Sequence, residues 1–489
     1  MILFNKSRYW LIERSLFFVL VFLQLVGCTS GEYIVVIEDK NNDDFYYDNH
    51  LTHAINQNCK YVLTQWWNEP KGVAFQPTSY IPNAKPLTEE QQIAVNNSME
   101  SFKNWRNEKY LLIPNWQKSD CSEQAILPPC YACRIISSAI HYGFYDAHTT
   151  GVSKEEATKK IVLLISSLAK YHCSNSEKGW GNCWQGALWA EMLGMSAFLM
   201  KDYLSDEVWG MVCNMIHSEC DYVISYAGVN VYMDRSGNII NEGDSKAEED
   251  AWNATILALA IATLPNDVRQ TEWRKRFIEL NVTSMACPSD VSSDRIIDGY
   301  CFTECPGSNI NEDGTVVNHG KWHIDYMASP IESFAESSIA LSFSRENLVF
   351  DCLSHNVDKV YKALVELDLG KYDESKSGHH FYERTPEGKA SCITNMPGNN
   401  EWGSNRQANY FLVDTYSSLI QADDNLPDRL KADKWAVCRM ERISEMMGRD
   451  TSGRIYLDGE ENFASGQLYA MACLTQVYSL LKGDILWLK

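Results

Sequence analysis

Apolar residues recur at i, i+3, i+4 and i+7 along most of this chain, the period of a helix with one buried face. The pattern predicts helices over 46–66, 89–107, 130–146, 154–173, 181–202, 205–227, 245–264, 269–286, 322–343, 347–367, 403–421, 427–447 and 463–482. Strict alternation is scarce, and 33–37 and 229–232 are the best short strand candidates. The fold class is therefore all-α with little β structure. Longer loops fall near 287–321 and 368–402. The helices near 205–227, 269–286, 347–367 and 427–447 carry charged faces, such as Glu272, Arg274 and Lys275, and suit an outer layer wet on one side. Those near 181–202, 245–264, 322–343, 403–421 and 463–482 are richer in Ala, Gly, Ser and Leu all round and suit an inner layer. Alternating layers predict helical hairpins stacked in a ring, six or seven of them, over 46–489.

Each predicted inner helix opens on a polar cluster. The clusters hold Trp180, Asn182, Trp184 and Gln185; Glu248, Glu249, Asp250, Trp252 and Asn253; Asn318, His319, Trp322, His323, Asp325 and Tyr326; Glu401, Trp402 and Arg406; and the acidic stretch 458–462. In a ring of hairpins the inner helices run parallel, so these starts are expected to meet at one mouth. Unbonded N–H groups and the positive ends of the helix dipoles would favour anionic groups there.

The N-terminus reads as an export signal. Lys6, Arg8 and Arg14 precede an apolar run over 15–27, which is shorter than the ~20 residues that span a bilayer. The run ends in Gly27-Cys28 and resembles the bacterial lipobox, which implies removal of 1–27 and lipidation of Cys28. The polar, acidic residues 28–45 read as a tether. An exported lipoprotein facing the periplasm or the cell surface is expected. The membrane is then a partner through the lipid anchor. Of the 16 cysteines, several lie in apolar helical patterns (Cys213, Cys352, Cys438, Cys473) and read as small hydrophobes. Cys130 and Cys133 lack a second ligand pair at zinc-site spacing.

Composition narrows the partners. With 43 Lys and Arg against 64 Asp and Glu, the net charge of −21 argues against nucleic acid, because phosphate binding needs clustered cations. The aromatic content of 12% suits glycan-stacking surfaces.

The sharpest local motif is Glu312-Asp313-Gly314-Thr315-Val316-Val317-Asn318-His319, followed by His323, Asp325 and Tyr326. It resembles the Asp-Gly-Ser-Phe…His/Tyr stretch of toroid polysaccharide lyases, including the heparinase II/III-like and alginate-lyase-like groups. Thr315 and Val316 stand where that stretch has Ser and Phe, and no strand-rich segment forms a C-terminal sandwich. The resemblance implies an (α/α) toroid acting on a polysaccharide or oligosaccharide. A lyase acting on a uronate neutralises the C6 carboxylate, removes the C5 proton and protonates the leaving oxygen. His and Tyr suit the proton transfers, and Asn or Arg suits the carboxylate. His319 or His323 is expected as base, Tyr326 as acid, and Asn318 and Arg406 on the carboxylate. His319, His323 and Tyr326 share a face if one helix runs through all three. Substrate contacts are expected from Trp180, Asn182, Trp184, Gln185, Trp252, Asn253, Asp325 and Trp402. A glycoside hydrolase would instead need paired carboxyls, with Glu248 and Glu249 as candidates. A non-catalytic glycan binder would use the tryptophans alone. No cofactor or metal is expected.

Overall fold

The computed structural model describes residues 43–68, 121–177, 179–346, 348–386, 406–458 and 465–482, with single positions 89, 93, 388, 390 and 460. The expected lipidation site Cys28, the strand candidate at 33–37, most of the helix expected at 89–107, and Trp402 lie outside these residues. Contacts divide the chain at 47/48 into Met1–Tyr47 and Asp48–Lys489. Twelve longer helices are described: α1 (Asp43–Tyr61), α2 (Cys121–His141), α3 (Lys154–Lys170), α4 (Gly186–Leu199), α5 (Asp206–Tyr222), α6 (Ala247–Thr263), α7 (Gln270–Ser284), α8 (Ile324–Ser342), α9 (Val357–Glu366), α10 (Gln407–Leu419), α11 (Ala432–Met447) and α12 (Gly466–Lys482). The chain is all-α. The predicted tether runs into helix early: Asp43 and Asp44 already belong to α1.

Six of these helices touch in a closed series: α2 with α4, α4 with α6, α6 with α8, α8 with α10, α10 with α12, and α12 with α2. They include all five helices expected inside, and α2 is the sixth. Their composition explains the placement. Residues of α6 are buried on every side from Ala247 to Ala262, and α4 likewise from Gly186 to Leu199. At Gly194 a Cβ would come within 2.6 Å of Leu259 Cδ2, so a smaller residue lets α4 and α6 approach closely. The helices expected outside pack against this series: α5 on α4 and α6, α7 on α6, α9 on α8 and α10, and α11 on α10. α3 rests on α2, α4 and α5. Residues of α1 reach both neighbours, Asn58 donating to Gly453 O (2.9 Å), while Lys160 of α3 donates to Leu63 O (3.1 Å) just beyond α1.

Local chemistry fixes the helix starts. Ser153 and Ser205 cap α3 and α5 by accepting from Glu156 N and Val208 N, and acidic residues fill both first turns. α4, α6, α8 and α10 begin without a side-chain cap. Three two-stranded antiparallel ladders sit in the loops: β1 (Met233–Asp234) with β4 (Gly307–Ser308), β2 (Ile296–Ile297) with β3 (Tyr300–Cys301), and β5 (Val317–Asn318) with β6 (Lys321–Trp322). The strand expected at 229–232 appears just beyond, as β1. Arg235 ties this region together by donating to Phe302 O and Cys305 O (2.7 Å each) and to Val291 O (2.8 Å). Thirteen cysteines from Cys59 to Cys473 are free thiols, and Cys130 and Cys133 are buried in the core.

Candidate active site

The starts of α4, α6, α8 and α10, with the flanks of α2 and α12, surround a cavity of about 330 Å³. Four of the five expected helix starts contribute to this wall, while Glu401, Trp402 and most of the 458–462 cluster lie outside the described residues. Trp184 and Gln185 come from the start of α4, Glu248 and Trp252 from α6, His319, Asp325 and Tyr326 from the approach to α8 and its first turn, and Arg406 from the residue before α10. Trp184 and Trp252 meet edge to face with centroids 5.8 Å apart, one half-exposed and the other buried.

The α8 side is built by a hairpin rather than a helix. Asn318 pairs with Lys321 across β5 and β6, leaving His319 and Gly320 as a two-residue turn with φ of 52° and 75°. Positive φ at both central positions matches the right-handed twist of a tight hairpin, and Gly is the residue that takes it without strain. The helix starts only at Ile324, with His323 as its N-cap. One helix therefore does not run through His319 and His323. The turn nevertheless swings the His319 ring back over the first turn of α8. Its Nε2 lies 3.2 Å from Tyr326 Oη, in a hydrogen bond whose donor depends on the imidazole tautomer. Asp325 accepts from Tyr410 Oη (2.6 Å), and Arg406 Nη1 stands 4.0 Å from the same oxygen.

Several expected site residues serve other ends. His323 is fully buried and does not line the cavity; its ring packs edge to face on Tyr326 at 4.7 Å. Asn318 is buried behind the wall, where its amide donates to Glu248 Oε1 (3.1 Å) and Ser245 O (3.1 Å), so it positions Glu248 instead of meeting substrate. Glu249 is turned away from Glu248 by the helical rotation and pairs with Lys246 (3.0 Å). Asn253 follows Trp252 by the same rotation and is absent from the cavity wall. Trp180 is buried and donates from Nε1 to Leu168 O (2.9 Å). Asn182 faces α5, its backbone N–H donating to Glu219 and its side chain accepting from Ser218.

No family model matches this chain, and no curated protein or solved structure matches it. Any functional reading therefore rests on the cavity itself.

The deeper wall holds residues that the sequence pattern did not single out: Tyr131 of α2, Ser329, Glu332, Ser333 and Glu336 of α8, and Tyr469 and Gln476 of α12. One signal was available. Along α8 the polar positions 325, 326, 329, 332, 333 and 336 form a stripe at helical spacing. Glu332 Oε2 accepts from Tyr469 Oη. Burial pushes the Glu332 carboxyl up to about 7, while the Tyr469 hydrogen bond and the nearby Arg406 charge hold it from going higher. Glu336 is held by Arg134 (2.9 Å) and Gln476 (2.7 Å). Burial also drives Glu248 well above the ordinary carboxylate range. The cavity thus carries carboxyl groups without carrying their full negative charge: two are pushed toward neutrality and the other two have a guanidinium beside them. An anionic ligand meets far less repulsion here than the net charge of −21 would indicate.

Proposed function

We propose that this protein is a polysaccharide lyase that cleaves a uronic-acid-containing glycan by β-elimination. The observation that carries this reading is the His319–Tyr326 hydrogen bond at the cavity wall, with Arg406 on the same cavity. In the proposed step, His319 Nε2 takes the C5 proton of the uronate. The electron pair forms the C4–C5 double bond as the C4–O bond breaks, and Tyr326 Oη gives its proton to the leaving oxygen. The 3.2 Å hydrogen bond then returns the proton from His319 to Tyr326, so the pair resets without a further reactant. Arg406 stabilises the carboxylate on which charge accumulates. Trp184 and Trp252 supply stacking faces. The closed series of six inner helices supports a toroid reading of the fold, and the chain is proposed to sit at a membrane as an exported lipoprotein anchored through Cys28.

One observation favours a second reading. A carboxyl raised to about 7 suits the general acid of a glycoside hydrolase, and Glu332 and Glu248 both line the cavity. A screen against acidic glycans, read by ultraviolet absorbance and reducing ends together, separates the two. Elimination makes an absorbing unsaturated sugar with each new reducing end. Reducing ends without absorbance would replace the lyase by the hydrolase, and binding without either product would leave a glycan-binding protein.

A further inference from the structure

The polar stripe of α8 lines the cavity from Asp325 to Glu336. Eleven residues separate the two, about 16 Å along the axis at roughly 1.5 Å per residue. Trp184 at the mouth is 50% exposed, whereas Glu336 at the inner end is 2% exposed. The inner end is closed among the described residues by the Glu336–Arg134 ion pair and the Gln476 amide, all buried between α8, α2 and α12. The whole space is about 330 Å³. That is the low end of the roughly 300–1,000 Å³ of sites for single small ligands. The His319–Tyr326 pair lies near the mouth, because Tyr326 is in the first turn of α8. A polymer bound through its interior needs a way in and a way out, and a cavity whose inner end is closed among the described residues gives it only the first.

We infer that the site admits the end of a glycan chain and not its interior, seating about one or two terminal sugar units inward of the His319–Tyr326 pair. Cleavage is then exo, releasing a short product at each turnover. The chemistry of release rests on the elimination reading above, while the end-on binding rests on the closed inner end alone.

Two measurements test this separately. With a uronate polymer that yields absorbing product, solution viscosity is followed against absorbance, using free chains and chains carrying a bulky label at one end or the other. The expected result is short product from the first time point with viscosity nearly unchanged, and loss of turnover when one particular end is blocked. An early fall in viscosity, or full turnover of both end-blocked chains, would overturn the inference and leave the lyase reading intact. If no uronate polymer yields absorbing product, the lyase reading fails, and calorimetric binding of a graded series of uronate oligosaccharides and the parent polymer decides the end-on binding. Affinity that levels off after the shortest oligomers, with a fixed stoichiometry per chain, supports end-on binding. Stoichiometry that grows with chain length, or no binding by any of the series, refutes it.

Discussion

The segments that lead into α4 and α8 look alike in sequence. Both mix Gly, Asn, Trp and polar residues, and both run into a helix without a side-chain cap. In the structure they do different work. The segment before α4 is tied down from behind: His172 Nε2 meets Glu219 of α5 at 2.9 Å, both fully buried, and the same carboxylate accepts from Asn182 N. Gly181 must lack a side chain, since a Cβ there would lie 2.1 Å from His172 Nε2. Trp180 and Asn182 are consumed by this anchor, and only Trp184 and Gln185 reach the cavity. Before α8 the anchor is smaller. Asn318 alone turns back to hold Glu248, and the hairpin leaves His319 facing Tyr326. A polar cluster at the start of an inner helix is thus spent on the scaffold wherever an outer helix places a complementary charge behind it.

Substitution is expected to split the two segments sharply. His319→Ala and Tyr326→Phe should each lower kcat by about 10²- to 10⁴-fold, the usual worth of a positioned acid or base, with the melting temperature nearly unchanged. Retention of elimination by both variants would remove them from the chemistry. His172→Ala should do the reverse. It removes one partner of a fully buried ion pair, which costs about 3–5 kcal/mol of stability, measured by denaturant unfolding. The anchor also has a pH signature. Burial works against a charged His172, but its contacts to Cys173 and Glu219 prevail and raise it from 6.5 to about 9. A group raised on folding contributes stability that is complete below about 6.5 and lost as pH rises through about 9. Wild-type stability should show that loss, and His172→Ala should lack it.

Sequence periodicity reached the layers more readily than the site. Inner and outer helices differ in how much of their circumference is apolar, and that difference is written in each helix separately. The pattern starts α2 at 130 instead of 121 and does not place it in the inner layer, because Pro128 and Pro129 lie inside it, where proline ordinarily interrupts a helix. α4 starts at Gly186, five residues later than expected, because Gly181, Asn182 and Gln185 all take positive φ. His319 and Tyr326 were legible as residue types, but their meeting was assigned to a shared helical face and is in fact made by a hairpin turn. The sequence pattern does not single out Glu332 and Glu336, because only the closed series of helices turns that stripe toward a common space. Which side of a helix faces a cavity is a property of its neighbours, so no single segment encodes it.

Smaller effects sharpen the comparison within the α8 side. Asn318→Ala should cost about 1–3 kcal/mol, because Glu248 Oε1 loses its only amide donor from the hairpin while remaining buried. Asn318→Asp should cost more, by placing a second acid against Glu248. Equal stability for the two variants would show that Asn318 does not hold that carboxyl.

The smallest expected effect concerns the tryptophans on the α4 side. Trp184 is 50% exposed and its edge-to-face contact with Trp252 is worth about 0.5–1.5 kcal/mol, so Trp184→Ala should shift stability little. Its loss should instead weaken glycan binding, by up to about tenfold if one stacking face of roughly 1.4 kcal/mol is removed. Trp180→Phe supplies the contrast from the same segment. Trp180 is buried and donates to Leu168 O, so Phe forfeits a hydrogen bond worth about 1 kcal/mol and leaves affinity unchanged. Calorimetric titration with a uronate oligosaccharide, paired with thermal unfolding of each variant, reads both quantities. If Trp180→Phe weakened binding as much as Trp184→Ala, the anchor and the cavity wall would be one functional unit, and the division drawn between the two segments would fail.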